Sequence, residues 1–364
     1  MNNNEYFIRK ALTLCKKAKG QTSPNPLVGA LVVRNNRIVG KGYHKKAGLP
    51  HAEVEAIKDA GKKIRGATLY VTLEPCTHYG RTPPCVDKIL ESGIKRVVVG
   101  MLDPNPLNNG KGVRLLREHG IKVEAGFLEA QLKKLNQPFI KYVTKRMHYV
   151  TAKVGQSLDG KIATKDGDSQ WITSDKAREF SHRLRRDYDA LMVGVNTVIR
   201  DNPYLAGPNP AWQLTRIVVD SRLSTPANAS IFQKPQPVII ATLKEPAGQE
   251  TENRELLSQK ARILEVKENN GQVNLYDLLK KLARLEITNI LVEGGGALVG
   301  SLFDCGLVDK VLFFIAPKII GGKDAISSVM GRGASRIDKA VKLREVKIKR
   351  MGDDFLIEGT INAY

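Results

Sequence analysis

Cysteine is scarce in this chain, with four residues in 364. That is too few for a disulfide framework, and in a reducing compartment a close cysteine pair reads as metal-binding or catalytic. Long apolar runs are missing too: the longest, Val311 to Ala316, falls far short of the roughly 20 residues a bilayer-spanning helix needs. Met1 to Lys10 holds neither an apolar core nor a small-residue cleavage pattern, so no secretory signal is expected. The chain reads as cytoplasmic, without a membrane partner. Charge of one sign never gathers into a run of five or six, although the formal net charge is +21. The basic residues form only short clusters, such as Lys16-Lys17-Ala18-Lys19 and Lys133-Lys134. A diffusely basic surface suits acidic small molecules and does not demand a polynucleotide.

What is present points to two folded domains. Hydrophobic residues make up 42% and charged residues 26%, enough apolar surface for ordinary cores, and the length exceeds one typical domain. Helical spacing of Phe7, Ala11, Leu14, Cys15 and Ala18 predicts a helix over Glu5 to Ala18. Strands follow at Val28 to Val33 and Arg37 to His44, joined through Asn35-Asn36. Helix and strand then alternate: His51 to Ala60, Thr68 to Leu73, Cys85 to Ser92, Lys95 to Met101, Val113 to His119 and Ile121 to Glu124. Leu128 to Arg146 reads as helical with a kink or break at Pro138. Beyond a boundary near Arg146 to His148, strands are predicted at Tyr149 to Val154, Ala190 to Val193, Thr215 to Asp220, Pro237 to Ala241, Asn289 to Val292 and Val311 to Ile315. Helices at Asp175 to Arg186 and Asn274 to Leu285 alternate with them. Both halves, 1–146 and 147–364, are therefore α/β, and no internal repeat relates them.

The strongest chemical signal is His51-Ala52-Glu53, followed by Glu74-Pro75-Cys76 and Cys85. One imidazole and two thiolates supply three zinc ligands and leave the fourth tetrahedral position for water, the catalytic pattern. Zinc lowers the pKa of that water enough to give hydroxide near neutral pH, and a proton carrier is then required. Glu53 is two residues from His51, too near to share a mid-helix face. Just after Pro50, at a helix start, side chains splay, so His51 can bind metal while Glu53 acts as general acid and base. This is the H-x-E, P-C-x-x-C signature of zinc nucleobase deaminases, with one departure. Eight residues, Thr77 to Pro84, separate the cysteines where two are usual. A closed structural site with His78 as fourth ligand is the alternative, and it leaves Glu53 without a task.

In the second half, Val292-Glu293-Gly294-Gly295-Gly296-Ala297 ends a strand and opens a helix over Leu298 to Asp304. Glycines there let backbone N–H groups approach a pyrophosphate at a helix N-terminus. The Rossmann pattern G-x-G-x-x-G is absent, and a simple tight turn explains the same glycines.

Taken together these residues resemble the bifunctional deaminase/reductase family of riboflavin biosynthesis. The resemblance rests on Pro24-Asn25-Pro26-Leu27-Val28-Gly29, His51-Ala52-Glu53, Leu73 to Cys85 and Asp103-Pro104-Asn105-Pro106. In the second half it rests on Ser157-Leu158-Asp159-Gly160-Lys161, Ser169-Gln170-Trp171-Ile172-Thr173-Ser174 and Val292 to Gly296. It implies an N-terminal cytidine-deaminase-like three-layer domain and a C-terminal dihydrofolate-reductase-like α/β domain, with Zn²⁺ and NADPH as cofactors. It also implies phosphorylated pyrimidine substrates, no nucleic acid, and a homo-oligomer. The implied reactions are deamination of 2,5-diamino-6-(5-phosphoribosylamino)pyrimidin-4(3H)-one, then reduction of the ribosyl group to ribityl.

By the same resemblance, Asn25, His44, Arg81, Asp103 and Asn105 surround the deaminase substrate; Asn25 and the Asp103 segment are also ordinary turn formers. Gly155, Trp171, Thr197, Asp201, Ser221, Gly294, Gly295 and Gly296 contact the nicotinamide cofactor, while Lys153, Ser169, Arg185, Leu205 and Glu293 contact the reductase substrate, with Asp159 close to the reacting centre. Trp171 also suits a core aromatic, and Arg185 a solvated helix position. One departure stands out. After Asn202-Pro203-Tyr204-Leu205 the family offers an Arg for the substrate phosphate, whereas this chain reads Ala206-Gly207-Pro208-Asn209-Pro210. Arg216 lies beyond that loop, which leaves Arg185 to carry more of the phosphate. The competing readings are a nucleic-acid-editing zinc deaminase with an accessory domain, suggested by the charge, and a noncatalytic binding protein.

Overall fold

The computed structural model describes residues 2–207, 214–244 and 251–362. The chain divides into two compact units, one ending at Arg146 and one beginning at Met147.

In the first unit the elements run α1 (Asn3–Cys15), β1 (Gly29–Arg34), β2 (Arg37–Tyr43), α2 (Ala52–Ala60), β3 (Thr68–Leu73), α3 (Cys85–Glu91), β4 (Arg96–Met101), α4 (Lys111–Glu118), β5 (Lys122–Ala125), α5 (Glu129–Leu135) and α6 (Gln137–Lys145). The strands form one sheet in the order β2-β1-β3-β4-β5. Its first three strands pair antiparallel and the rest parallel. Residues 69–73 of β3 and 97–101 of β4 are all buried, and successive side chains point to opposite faces, so both faces of the sheet are covered. The β1–β2 turn places Asn35 and Asn36 at φ 48° and 60°, the left-handed pair that a two-residue hairpin demands.

The edge strand β2 holds α2 unusually close. A Cβ on Gly42 would lie 2.1 Å from the Ala52 carbonyl oxygen, and one on Gly40 2.3 Å from that of Ala56. Only glycine permits that approach, which fixes the start of α2 and with it His51. The helix predicted to Ala18 ends at Cys15 and tightens into a 3₁₀ turn over Lys16–Ala18. Pro138 splits the long helical segment rather than kinking it: α5 stops at Leu135 and α6 starts with Pro138 in its first turn, where a missing N–H is harmless. Asn136, at the break, bonds both the N–H and the carbonyl of Leu27, tying the break to the entry of β1.

The second unit continues with β6 (Tyr149–Ser157), β7 (Lys161–Ala163), α7 (Asp175–Leu184), β8 (Ala190–Gly194), α8 (Val195–Asp201), β9 (Thr215–Val219), β10 (Val238–Thr242), α9 (Thr251–Ser258), β11 (Arg262–Glu265), β12 (Glu268–Asn269), β13 (Gln272–Val273), α10 (Leu275–Ala283), β14 (Asn289–Val292), α11 (Gly296–Asp304), β15 (Lys310–Ala316), β16 (Ile326–Ser327), β17 (Arg344–Met351) and β18 (Asp354–Thr360). Nine strands form one sheet in the order β11-β10-β9-β8-β14-β6-β15-β18-β17. It is parallel from β11 to β15 and closes with the antiparallel pairs β15–β18 and β18–β17. The central strands β8 and β14 are buried almost throughout. The C-terminal hairpin β17–β18 is an element that the apolar-run reading passes over, because β17 is exposed along nearly its whole length and carries charge at alternate positions.

Candidate metal centre and reductase clefts

His51 is the N-cap of α2, with extended backbone (φ −73°, ψ 166°), and Glu53 falls in the first helical turn. This is the splayed geometry that lets both serve one point. Cys85 opens α3, and Cys76 follows the end of β3. His51 Nδ1 lies 3.2 Å from Cys85 Sγ and 3.6 Å from Cys76 Sγ, and the three donor atoms all fall within 4.8 Å of one another. Tetrahedral zinc with ordinary Zn–N and Zn–S bonds separates such donors by about 3.5 Å, so the set fits the ion. His78 does not join this group, and the closed four-ligand alternative is not met.

Electrostatics within the cluster suit that chemistry. Hydrogen bonding from Cys85 pulls the Cys76 thiol down, while the same bond and burial push Cys85 up; a metal-binding pair arises where one sulfur is readily a thiolate. Glu53 is 3% exposed. Burial pushes its carboxyl up to about 7 against the pull of His51, a value that matches a proton carrier working near neutral pH.

Around this centre the structure brings together Asn25 and His44: Asn25 Nδ2 and His44 Nε2 are 3.0 Å apart. His44 Nδ1 reaches the Pro50 carbonyl at 3.2 Å. A carbonyl only accepts, so Nδ1 carries the proton and Nε2 accepts from Asn25. Burial lowers His44 to about 4, which keeps it neutral. Its ring meets that of His51 edge-on at 5.1 Å. Asp103 and Asn105 shape their own turn through Asn105 N–H to Asp103 Oδ1 and Leu107 N–H to Asn105 Oδ1. Burial raises Asp103 to about 6. Arg81 sits in the long intercysteine loop, its Cδ about 4.0 Å from where a Cβ on Gly48 would be.

Two scaffold residues received no role in the motif reading. Glu74 is buried and accepts from the N–H groups of Asp103, Gly110 and Val113 at 3.0, 2.8 and 3.0 Å. Asn108 is fully buried; it donates to the Pro75 carbonyl and Asp103 and accepts from Thr77. A carboxylate directly after a strand buried at its last five positions was the available signal for Glu74, since such a charge must find donors.

Two cavities among the described residues of the second unit hold most of the expected contacts. The larger, about 1150 Å³, is lined by Thr197, Asp201, Ser221, Gly295 and Gly296 together with Ser169. The smaller, about 360 Å³, is lined by Lys153, Gly155, Trp171, Arg185 and Glu293. Gly155 and Trp171, assigned to the cofactor, therefore line the cavity of the substrate residues, and Ser169 lines the other. Gly296 has a packing role as well: a Cβ there would lie 2.0 Å from the Ser327 carbonyl oxygen. Gly295 faces open space.

Four of the expected contact residues sit apart from the cavity walls or already have partners. Leu205 is 5% exposed within an apolar core that includes Tyr188 and Leu191, so it is a wall of neither cavity. Gly294 lines neither, because Leu298 packs on it. Asp159 lines neither: its carboxylate accepts from Ser157 Oγ and from the N–H groups of Ile320 and Gly321, which makes it a clip between two loops. Arg185 is not free for a phosphate. It forms a forked pair with Glu293, Nε to Oε1 at 3.2 Å and Nη2 to Oε2 at 2.9 Å, and its Nη1 donates to the Ala206 carbonyl.

Lys153 stands 3.8 Å from the same carboxylate. Burial would raise Glu293, but Arg185 and Lys153 outweigh it and hold the carboxyl at about 2. Trp171 is 61% exposed, with the Arg178 guanidinium 4.2 Å over its ring, so it is no core aromatic. Arg216 is fully buried and donates to the carbonyls of Tyr204, Ile231, Lys234 and Gln236, out of reach of any ligand. Pro208 to Pro210, the segment lacking the family's Arg, lies outside the described residues. His182, three residues before Arg185 on α7, lines the smaller cavity and was missed; helical i, i+3 spacing was its signal.

Comparison with known proteins agrees across the whole length. A family model for the cytidine and deoxycytidylate deaminase zinc-binding region matches residues 1–101, and one for the RibD C-terminal domain matches residues 148–357. The riboflavin biosynthesis protein RibD of Aquifex aeolicus is 47% identical over 359 residues, covering 97% of each chain. That of Escherichia coli is 37% identical over 368 residues, covering 96% of this chain and 97% of the other. Among solved structures, Acinetobacter baumannii RibD superposes with a TM-score of 0.88 at 33% identity, covering 99% of each chain. A diaminohydroxyphosphoribosylaminopyrimidine deaminase/5-amino-6-(5-phosphoribosylamino)uracil reductase from Thermotoga maritima gives 0.86 at 37% identity, again covering 99% of each. With a zinc-ligand cluster in one unit and an α/β reductase sheet in the other, the chain belongs to the RibD family of riboflavin-biosynthesis proteins.

Proposed function

We propose that the unit ending at Arg146 deaminates a phosphorylated diaminopyrimidine and that the unit beginning at Met147 reduces the deaminated product. The chain is a bifunctional hydrolase and oxidoreductase of riboflavin biosynthesis that uses zinc and NADPH and acts on small-molecule pyrimidines. The editing-deaminase reading is not favoured, because the second half matches the RibD C-terminal domain. One observation carries the deaminase assignment: a buried carboxylate, Glu53, beside three donor atoms spaced for zinc.

When bound, zinc supplies a water acidic enough to attack the amino-bearing ring carbon at neutral pH. His51, Cys76 and Cys85 would hold it. Glu53 would take a proton from the attacking water and pass it to the adjacent ring nitrogen, then carry the proton of the new hydroxyl to the departing amino group, so that ammonia leaves and a ring carbonyl beside a protonated ring nitrogen remains. Asn25, through the part of its amide not committed to His44, and Asp103 read the ring edges, and Arg81 faces the phosphate. In the reductase, Thr197, Asp201, Ser221, Gly295 and Gly296 of the larger cavity would hold NADPH, which would supply a hydride. Net addition of hydride at the ribosyl C1 and of a proton at the ring oxygen opens the sugar to ribityl. The ammonium of Lys153, held by Glu293, orients the opening sugar.

The same proposal includes a homo-oligomer joined through β17. That edge strand leaves its backbone pairing groups unmatched on one side and exposes Val346 and Ile348 at 50% and 67%, a surface that isolated chains normally cover. No helix among the described residues is long and apolar enough to cross a membrane, and a cytoplasmic site, consistent with four free thiols, belongs to the proposal too.

The test supplies the diaminopyrimidine ribosyl phosphate with and without NADPH to wild type and Glu53→Gln. Ammonia release in the variant falls by about 10²–10⁴-fold, while its zinc content and its NADPH oxidation on the deaminated intermediate persist. Undiminished ammonia release removes Glu53 from the role.

A further inference from the structure

The loop between Cys76 and Cys85 is longer than the two residues of the deaminase signature, and one of its residues reaches back to the metal ligand. Thr82 Oγ1 lies 3.2 Å from His51 Nε2, on the side of the ring away from Nδ1, which faces the two sulfurs. From this geometry we infer that Thr82 is a positioning residue for the zinc site. It accepts the Nε2 proton, which fixes the tautomer with a free Nδ1 lone pair and holds the ring at the angle that aims it between Cys76 and Cys85. This inference rests on the zinc reading of His51, Cys76 and Cys85.

The alternatives for that proton are few. His44, the ring packed edge-on against His51, uses Nδ1 on the Pro50 carbonyl and Nε2 on Asn25, so it offers no acceptor. The loop is built to deliver Thr82. Its start is anchored where Thr77 N–H and Oγ1 both donate to Asn108 Oδ1 at 3.1 and 3.0 Å. Its tip closes on itself through Gly80 N–H to the Thr82 carbonyl at 3.2 Å, and Pro83-Pro84 then stiffens the run into Cys85. Six extra residues, relative to the usual two, thus buy a neutral oxygen on the outer nitrogen of the ligand. Partners of this kind set a ligand's tautomer and orientation, and their loss typically weakens metal binding by about 10–100-fold.

The full-length chain is loaded with one zinc and titrated with a chromophoric chelator, as wild type, Thr82→Val and Thr82→Ser. Valine keeps the shape and removes the acceptor; serine restores the acceptor and loses only a methyl. Zinc affinity is expected to fall by about 10–100-fold in Thr82→Val and to stay near wild type in Thr82→Ser. NADPH oxidation on the deaminated substrate stays unchanged in both, which reports an intact fold. Should the valine variant melt early, Thr82→Ala against Thr82→Ser makes the same comparison. Wild-type affinity in the valine or alanine variant, or a serine variant as weak as valine, overturns the role of Thr82. A wild-type chain that takes up no stoichiometric zinc overturns the metal centre itself, and the wild-type titration alone tells the two failures apart.

Discussion

Removing the Arg185 guanidinium should expose how much the reductase unit depends on one buried ion pair. Glu293 and Arg185 have side chains only 9% and 15% exposed, and the forked contact holds the Glu293 carboxyl at about 2 where it would ordinarily titrate near 4.5. A carboxylate depressed that far contributes about 3 kcal/mol at neutral pH. Breaking a buried pair by deleting one partner costs a similar ~3–5 kcal/mol, because the surviving charge is left uncompensated. Arg185→Met should therefore lower the calorimetric transition of this unit by about 6–20 °C for a domain of its size. The double variant Arg185→Met/Glu293→Gln should recover part of that loss, since the Glu293 charge is gone and only the Lys153 ammonium loses its partner.

The pH dependence has a sign. In wild type the folded carboxyl titrates below the unfolded one, so the pair's contribution is complete above about pH 5 and is lost as pH falls from there toward 2. In Arg185→Met only Lys153 still opposes burial, the folded carboxyl rises, and the stability lost between pH 5 and 2 should shrink. A single variant as stable as wild type, or a double variant no better than the single, would refute the reasoning.

Chelation should separate the two activities: dialysis against a strong chelator abolishes ammonia release, while NADPH oxidation on the deaminated intermediate, followed at 340 nm, persists. Gly42→Ala should displace the start of α2, because the new methyl would sit 2.1 Å from the Ala52 carbonyl oxygen; zinc uptake in the purified chain should fall together with deamination, and reductase turnover should not. Asn108→Ala leaves the Thr77 donors and the Pro75 carbonyl without their buried partner and should destabilise the first unit by about 1–3 kcal/mol per orphaned group at most, read as an earlier first transition by calorimetry. Ile348→Lys on the exposed strand β17 should shift the chain toward monomer in sedimentation velocity; an unchanged sedimentation coefficient moves the interface elsewhere.

The two sites differ in how far the chain alone disclosed them, and the cause is how each is assembled. The metal ligands and Glu53 all fall between residues 51 and 85, at the starts of α2 and α3 and the end of β3. Their residue types are rare in combination and their spacing is set by local structure. Pro50 before His51 was the signal that side chains two apart could serve one point, and His51 is indeed the N-cap with Glu53 in the first turn. The smaller cavity of the second unit gathers Lys153 from β6, Arg185 from just past α7 and Glu293 from just past β14. Each is a common surface residue until the sheet order sets β14 beside β6.

That is why resemblance alone named them, and why it could not tell that Arg185 is already committed to Glu293 or that Leu205 is core. Position within a motif specifies which residue stands near a site; only packing decides whether its polar atoms are free. Asp159 makes the point most directly. An aspartate in a Ser-Leu-Asp-Gly turn has the chemistry of a substrate ligand, yet three donors from Ser157, Ile320 and Gly321 already take up its oxygens and hold its carboxyl at about 2, with the Ser157 hydroxyl the largest cause. Asp159→Asn keeps the shape but weakens those charge-assisted bonds. If the aspartate is a clip, the variant should loosen the 320–321 loop, read as faster amide exchange at Ile320 and Gly321, while the KM for substrate changes little; a large rise in KM with unchanged exchange would return Asp159 to the substrate.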